Sequence, residues 1–269
     1  MPEGRAMALP STSVSIAASL DYRLDRPADV LLAIEAIPMA DQQLASDLLT
    51  VKGSSPLLTI EGMDGLGRRT WLHADGLISI RYTAAATIAR APTNIVGLGV
   101  VPHSALPPAY ISYLMPSRYC PSDRFEHFVA TRFDASDKGQ QVLDMAGWVF
   151  ENLTYMAGSS NGSTTAADTF LSRQGVCRDF AHLLIALCRA ADIPARMVSA
   201  YALDLDPPDF HAVVEVYLDG KWHLVDPSRL VPEINLVRIA VGRDATDVGF
   251  MTIFGSAQMI AQSVTVTRA

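Results

Sequence analysis

The chain has 269 residues, with 21 Lys and Arg against 28 Asp and Glu, and a formal net charge of -7. This length allows one large domain or two moderate ones, and a hydrophobic content of 49% is enough for a packed core. No dense run of basic residues is present, so the chain lacks the positive surface that a nucleic-acid-binding protein needs. We therefore expect a globular protein with no nucleic-acid partner.

The first twenty residues have no charged start followed by a long apolar run, and no segment approaches the roughly 20 apolar residues that span a bilayer. The sequence therefore predicts a cytoplasmic protein without a membrane partner, and it does not indicate the oligomeric state. Three cysteines occur, Cys120, Cys177 and Cys188, and none belongs to a CxxC pair. Neither a disulfide framework nor a thiolate zinc site is predicted.

The N-terminal third has the pattern of β-strands. Alternating apolar segments are separated by Pro, Gly and Asp turn signals such as Asp64-Gly65. The predicted strands are residues 13–22, 30–38, 43–51, 56–64, 68–75 and 77–88. This region should form an antiparallel sheet or sandwich.

A proline-rich connection follows. Residues 91–121 contain six of the sixteen prolines, which disfavours regular structure. We place a domain boundary here, with an N-terminal β domain at residues 1–105 and a second domain at residues 106–269 whose C-terminal extension returns as a strand.

In the second domain the apolar spacing becomes helical. It predicts helices at residues 139–153 and 166–172, and a third that starts at Cys177 and is stopped by Ile193-Pro194. Strand patterns then occupy residues 195–203, 211–218 and 221–225. Cys177 is thereby placed in the first turn of a buried helix.

A helix N-terminus favours the thiolate form of Cys177, because the free N–H groups and the helix dipole stabilise an anion. The alternative is that Cys177 is a small core residue, since free cysteines are commonly buried. Cys188 fits that alternative well. It lies 11 residues further on, about 16 Å along the helix axis, which excludes a disulfide with Cys177.

The Asp219-Gly220 pair predicts a two-residue hairpin turn. In that register Asp226 faces Val213 and is the diagonal neighbour of His211, within reach of a carboxylate–imidazole hydrogen bond. A three-residue loop would send Asp226 to the other face, but Asp-Gly is a strong signal for the shorter turn.

A carboxylate bound to His211 would orient the imidazole and stabilise its protonated form, which is the task of the third member of a catalytic triad. A zinc site made of Cys177, His211 and Asp226 is the other chemistry open to these residue types. These three lack the further protein ligand of closed zinc sites, so we predict no metal and no cofactor.

At these residues the chain resembles the bacterial transglutaminase-like superfamily of cysteine proteases. The resemblance is carried by GVCRDFAH, DFHAVVEVY and LVDPSRL, and it extends over roughly residues 105–255. It implies an α+β fold with a papain-like, transglutaminase-like core, in which the nucleophile lies at a helix N-terminus packed on an antiparallel sheet. The preceding region resembles the all-β, sandwich-like domain that often accompanies this family.

The resemblance implies that Cys177 is the nucleophile, that His211 acts as base and then acid, and that Asp226 orients His211. The implied reaction is acyl transfer on amide or peptide bonds through a thioester, by a peptidase or amidase acting on a peptide or protein. One alternative is amine transfer to protein glutamine, as in transglutaminases. Another is a non-catalytic binding module, although such modules usually lose a triad residue.

The tetrahedral intermediate of this reaction needs two hydrogen-bond donors. The Cys177 N–H is the natural first donor. Animal transglutaminases that resemble this core use an upstream tryptophan as the second. Tyr155 is our candidate here, ahead of Gln174 and Trp148, because its hydroxyl can donate and it directly follows a helix.

Other polar residues have simpler interpretations. His182 points about 140° away from Cys177 around the helix, and His223 lies on the strand face opposite Asp226, so both are predicted to be structural. Asp204, Asp206 and Asp209 form a solvated loop. Because this loop leads into His211, it is also a candidate for the cleft mouth, where it would favour cationic or amine-bearing substrates.

Overall fold

The computed structural model describes residues 11–134 and 136–269. The first ten residues, half of the segment predicted to carry no export signal, lie outside the described residues. The strands are β1 (Thr12–Leu24), β2 (Ala28–Leu32), β3 (Gln42–Ser54), β4 (Leu58–Glu61), β5 (Arg68–Ile88), β6 (Thr154–Tyr155), β7 (Gln174–Gly175), β8 (Ala195–Ala202), β9 (His211–Leu218), β10 (Lys221–Val225), β11 (Leu236–Gly242), β12 (Met251–Ile253) and β13 (Ala257–Arg268). The α-helices are α1 (Glu126–Arg132), α2 (Lys138–Asn152), α3 (Ala166–Ser172), α4 (Cys177–Ala190) and α5 (Ala245–Val248).

The first sheet is antiparallel and is built around the long strand β5. Along one edge, β5 pairs with β1 through its C-terminal half and with β2 through its N-terminal half. Along the other edge it pairs with β3 and β4 in the same way. The C-terminal strands extend the sheet, because β13 pairs with β1 and β12 pairs with β2. The end of the chain therefore lies beside its beginning.

Period-two alternation gives this sheet one buried face. In β1 every second side chain from Val14 to Leu24 is buried, and β5 repeats the pattern. The two strands predicted at residues 68–75 and 77–88 are one continuous strand. Gly76 has φ +67, and the facing Gly53 lies so close to the Leu77 carbonyl that a Cβ would meet that oxygen at 2.2 Å. These glycines accommodate a local irregularity without ending the pairing.

The proline-rich connection contains only short 3₁₀ turns, as its composition predicts. The helices predicted at residues 139–153 and 166–172 correspond to α2 and α3, the first displaced by one residue. The N-terminus of α2 is capped by Asp137, which accepts from the Gln140 N–H at 2.9 Å.

The second sheet has the strand order β10-β9-β8-β11, and α4 packs against it. The β9–β10 pairing places Trp222 opposite Tyr217 and Val225 opposite Val214. This register confirms the two-residue Asp219-Gly220 turn. The side chains of Val214 and Val216 lie in the core that contains α4, whereas Val213 lies in a separate cluster on the other face.

The two sheets share one hydrophobic core, which includes residues of β1, β5, α2, α4 and β8. Hydrogen bonds also join them: Tyr201 of β8 donates to the Ile34 carbonyl, just after β2, at 2.7 Å, and the Gln42 side-chain amide of β3 donates to the Arg238 carbonyl of β11 at 2.9 Å. The α+β class with antiparallel sheets agrees with the sequence, while the domain boundary near residue 105 stays a prediction. Throughout the described ranges, no helix is long and apolar enough to cross a membrane.

Candidate active site

Cys177 is the first residue of α4 and is partly exposed, whereas Cys120 and Cys188 are fully buried. Burial raises the pKa of the Cys120 thiol to about 12 and also raises the pKa of the Cys188 thiol. Both therefore stay protonated and enclosed at neutral pH. Of the three thiols, Cys177 alone combines access to solvent with a position at a helix N-terminus.

A buried carboxylate fixes the backbone on both sides of Cys177. Asp179 accepts a hydrogen bond from the Val176 N–H at 2.8 Å and another from the Ser160 hydroxyl. Gly175 leaves room for this side chain, because a Cβ at residue 175 would lie 2.6 Å from that of Asp179. The start of α4 is thus held against the loop that precedes α3.

His211 begins β9 and makes the predicted contact with Asp226. The His211 Nε2 lies 2.8 Å from Asp226 Oδ2, and both side chains are almost completely buried. The other oxygen of Asp226 accepts from the Ser228 N–H at 2.9 Å and from the Ser228 hydroxyl at 2.6 Å. With Nε2 engaged, Nδ1 is the ring nitrogen left for the thiol of Cys177.

The electrostatics of this pair favour an imidazolium. Burial lowers the pKa of His211, but the hydrogen bonds to Asp226 and Cys177 outweigh it and raise that pKa to about 10. Burial raises the pKa of Asp226, and the hydrogen bonds from His211 and Ser228 outweigh it, so the net pKa lies below its usual value. The carboxylate stays ionised and holds a proton on the ring.

Tyr155 lies beside Cys177 because β6 and β7 form a short parallel pair in which Tyr155 is opposite Gly175. Burial raises the pKa of the Tyr155 hydroxyl to about 12, and the charge of the Cys177 thiolate adds to that rise. The backbone and the side chain of Cys177 also influence this pKa, so the hydroxyl lies close to both. The two expected oxyanion donors are therefore adjacent. Trp148, by contrast, packs on Phe170 with ring centroids 5.5 Å apart.

Cys177 and His211 open into a cleft of about 360 Å³ on the α4 side of the second sheet. Its walls are mostly apolar. Besides Cys177 and His211, the polar side chains that line it are those of Tyr119, Arg178, Ser199, Asp209 and Gln262. Ser199 Oγ has no hydrogen-bond partner among the described residues. The lining residues are Tyr119, Gly162, Val176, Cys177, Arg178, Met197, Ser199, Asp209, Phe210, His211, Ala212, Ala245, Val248, Gly249, Phe250 and Gln262.

The other predicted polar residues fall into two groups. His182 accepts from the Ala245 N–H at 3.1 Å and stacks on Tyr119, and His223 contacts the Leu218 carbonyl at 3.2 Å, so both are structural as predicted. The aspartates of the acidic loop have different surroundings. Asp204 forms an ion pair with Arg268 at 2.8 Å, and Asp209 lines the cleft.

Sequence reasoning missed the remaining cleft residues. Ser199 lies within a strand with nothing to distinguish it from a packed serine. Gln262 is 51 residues beyond His211 and reaches the cleft only because β13 returns to the first sheet. Within residues 11–134 and 136–269, no group of three or more His, Cys, Asp or Glu side chains is arranged to hold a metal ion.

The whole architecture has a close structural match. The chain superimposes on the crystal structure of a "putative cysteine protease" from Cytophaga hutchinsonii with a TM-score of 0.89 and 35% sequence identity. The match covers 96% of this chain and 91% of that protein, so it includes both sheets.

Curated relatives match more locally. An uncharacterized protein of Mycobacterium leprae is 31% identical over 149 residues, and one of Mycobacterium tuberculosis is 35% identical over 145 residues. These alignments cover 50% and 47% of this chain, and 52% and 46% of the relatives. The chain thus spans about half the length of the curated relatives it matches.

A family model for the transglutaminase-like superfamily matches residues 128–227, the segment that contains Cys177, His211 and Asp226. The same segment carries α4 and the β8–β9–β10 strands that bring these side chains together. Together with the match over nearly the full length of the Cytophaga protein, this shows that the chain belongs to the transglutaminase-like superfamily.

Proposed function

We propose that the protein is a cysteine-dependent peptidase or amidase that transfers an acyl group through a thioester. The observation that carries the proposal is the buried His211–Asp226 pair, with a Nε2 to Oδ2 distance of 2.8 Å, whose imidazole interacts with a partly exposed thiol at a helix N-terminus. This combination supplies an activated nucleophile and an oriented acid–base group. The proposed substrate is a peptide or protein.

In the proposed reaction, the Cys177 thiol gives its proton to His211, and the sulfur attacks the carbonyl carbon. The carbonyl π electrons move to oxygen, where the Cys177 N–H and the Tyr155 hydroxyl stabilise the negative charge. Collapse of this intermediate breaks the C–N bond, and His211 donates its proton to the departing amine. The product of this half-reaction is a thioester on Cys177.

In the second half-reaction, His211 takes a proton from water as the water attacks the thioester. The thiolate then leaves, the acid is released, and the proton on His211 restores the starting pair. An amine in place of water would convert the same intermediate into a new amide. Asp226 remains ionised throughout and stabilises each imidazolium that forms.

The proposal is tested by the reactivity of Cys177 towards iodoacetamide, read by peptide mass spectrometry. At pH 6–7 we expect the native thiol to react faster than the same thiol in the urea-unfolded chain, and His211→Ala to remove the difference. Cys120 and Cys188 serve as internal controls, because both are fully buried. A native rate no higher than the unfolded rate, and unchanged in His211→Ala, would contradict an activated nucleophile.

A second experiment tests turnover. The enzyme and its Cys177→Ala variant are incubated with a peptide library, in buffer with and without hydroxylamine. Hydroxylamine attacks a thioester and releases a hydroxamate, which mass spectrometry identifies. We expect cleaved peptides, and hydroxamates in its presence, only with the wild-type enzyme. Cleavage that persists in Cys177→Ala would assign the activity to another group.

A further inference from the structure

Asp209 is a negatively charged residue that lines the cleft. It lies two residues before His211, is exposed, and forms no ion pair with any side chain in the described part of the chain. Asp204 in the same loop differs, because it pairs with Arg268. The charge of Asp209 is therefore free to interact with a group that enters the cleft.

The carboxylate is held in a defined orientation. One oxygen of Asp209 accepts hydrogen bonds from the Phe210 N–H at 2.8 Å and from the Gln262 side-chain amide at 2.9 Å. Gln262 lies on β13, opposite Leu20 in the first sheet. The N-terminal sheet thus fixes a charged group in the cleft of the second sheet, and no hydrogen bond is made by the other oxygen to any described residue.

Asp209 lines the same cleft as Cys177 and His211. Burial and the contacts with Cys177 raise the pKa of Tyr155, and the negative charge of Asp209 raises it further. The charge of the other charged lining residue, Arg178, is offset by buried Asp179, whose Oδ1 lies 3.5 Å from the guanidinium, and the guanidinium also donates to the Ser160 hydroxyl at 3.0 Å. Between these two groups, Asp209 is the one left to recognise charge.

The walls between Cys177 and Asp209 are apolar. Phe210 stacks on Phe250 with ring centroids 4.7 Å apart, and Met197 and Val248 complete the surface. A group that fits this lining has an apolar stem, which displaces water from the walls, and a positive end that meets the carboxylate.

We propose that Asp209, oriented by Gln262, is a specificity-determining residue that favours substrates with a positive charge on an apolar stem, such as a basic side chain. The inference rests on the proposed function, because it assumes that Cys177 is the reacting group. The sequence left all three aspartates of the loop as candidates, and the structure assigns this role to one of them.

The test uses small thiol reagents that differ in charge. The Cys177 thiolate attacks the sulfenyl sulfur of an alkyl methanethiosulfonate, a disulfide forms, and methanesulfinate leaves. Rates are measured for an ethylammonium, a neutral methyl and an ethylsulfonate reagent on the wild type, on Asp209→Asn and on Asp206→Asn. Asp206 is the matched control, because it is exposed in the same loop and does not line the cleft.

If the charge of a bound reagent lies on the order of 7 Å from the Asp209 carboxylate in a largely hydrated cleft, that carboxylate changes the local concentration of the reagent by roughly 3- to 5-fold. Because the two charged reagents respond in opposite directions, we expect Asp209→Asn to lower the ratio of cationic to anionic rates by about tenfold. The neutral-reagent rate of each variant is the reference that removes any effect on the ionisation of Cys177. The control variant should change the ratio by less than about twofold, and added salt should reduce the effect.

An unchanged ratio in Asp209→Asn, or an equal change in Asp206→Asn, would overturn the proposal. These outcomes are distinct from failure of the proposed function, which would appear as a neutral-reagent rate on wild-type Cys177 no faster than on the unfolded chain. Peptidyl electrophiles that contain lysine or its apolar analogue norleucine then show on which side of the scissile bond the positive charge is recognised. A lysine preference that disappears in Asp209→Asn places the recognised charge on the acyl side of the scissile bond. A preference shown only by alkyl amine acceptors places that charge on the amine side.

Discussion

Replacing Asp226 by Asn is the sharpest perturbation of the proposed site, because it removes the charge that holds a proton on His211 and nearly preserves shape. The carboxylate accepts from His211 Nε2 at 2.8 Å in a buried setting. A hydrogen bond to a charged group is worth about 1.5–3 kcal/mol, which corresponds to roughly 1–2 units in the pKa of His211. The equilibrium for proton transfer from Cys177 to His211 should fall by about ten- to a hundredfold.

The assay is the rate of iodoacetamide alkylation at Cys177 between pH 6 and pH 10. At neutral pH, Asp226→Asn should react more slowly than the wild type, because less thiolate is present. Above about pH 9 the two rates should converge, since a thiol then ionises without help from the imidazole. Ser228→Ala is the control, because it removes only a neutral donor to Asp226 and should shift the profile less.

Equal rates at neutral pH would refute the reasoning. A rate difference that persists at pH 10 would also refute it, because that result indicates altered access to Cys177 rather than altered ionisation. Thermal unfolding of each variant establishes that the comparison is made between folded proteins.

Three further predictions follow from the same contacts. Tyr155→Phe should lower peptide turnover by about 10²–10³-fold if its hydroxyl stabilises the oxyanion, while alkylation of Cys177 stays within about threefold, and equal losses in both assays would instead indicate a structural role. Gly175→Ala should lower the free energy of unfolding by about 1–3 kcal/mol in urea titrations, because the new Cβ would lie 2.6 Å from that of Asp179, whereas Gly162→Ala, with no atom within 4 Å, should cost less. The pKa of His211 rises from 6.5 to about 10 on folding, so its contribution to stability is complete below pH 6.5 and is lost as the pH approaches 10. We therefore expect the unfolding free energy of the wild type to fall over that range relative to His211→Gln, and parallel pH profiles would contradict the shift.

The local elements could be predicted from the sequence because their signals are local. Apolar spacing located α2 and α3, Gly175 before a helical run located the start of α4, and Asp219-Gly220 fixed the register that brings His211 and Asp226 together. A hairpin register depends only on the turn and on the period of the strand, both of which are readable from neighbouring residues. The structure adds the distance and the burial of this pair.

The features that the sequence did not predict depend on contacts between distant parts of the chain. The continuity of β5 through Gly76 was missed, because a glycine within a strand pattern can mark either a turn or an irregularity, and pairing with β3 decides between them. The different roles of Asp204 and Asp209 could not be predicted from the sequence either, because they depend on contacts with Arg268 and Gln262 of β13.

Local sequence signals are sufficient to predict that Cys177 begins a helix and that His211 and Asp226 are neighbours across a hairpin, because helix caps, turns and strand period act over a few residues. The other groups that surround the thiol depend on contacts between distant segments. Tyr155 reaches Cys177 through the β6–β7 pair, and Gln262 reaches the cleft because β13 pairs with β1 at the opposite end of the sequence. Such pairings are selected by the burial of a shared core, and that selection is a property of the whole chain rather than of any segment.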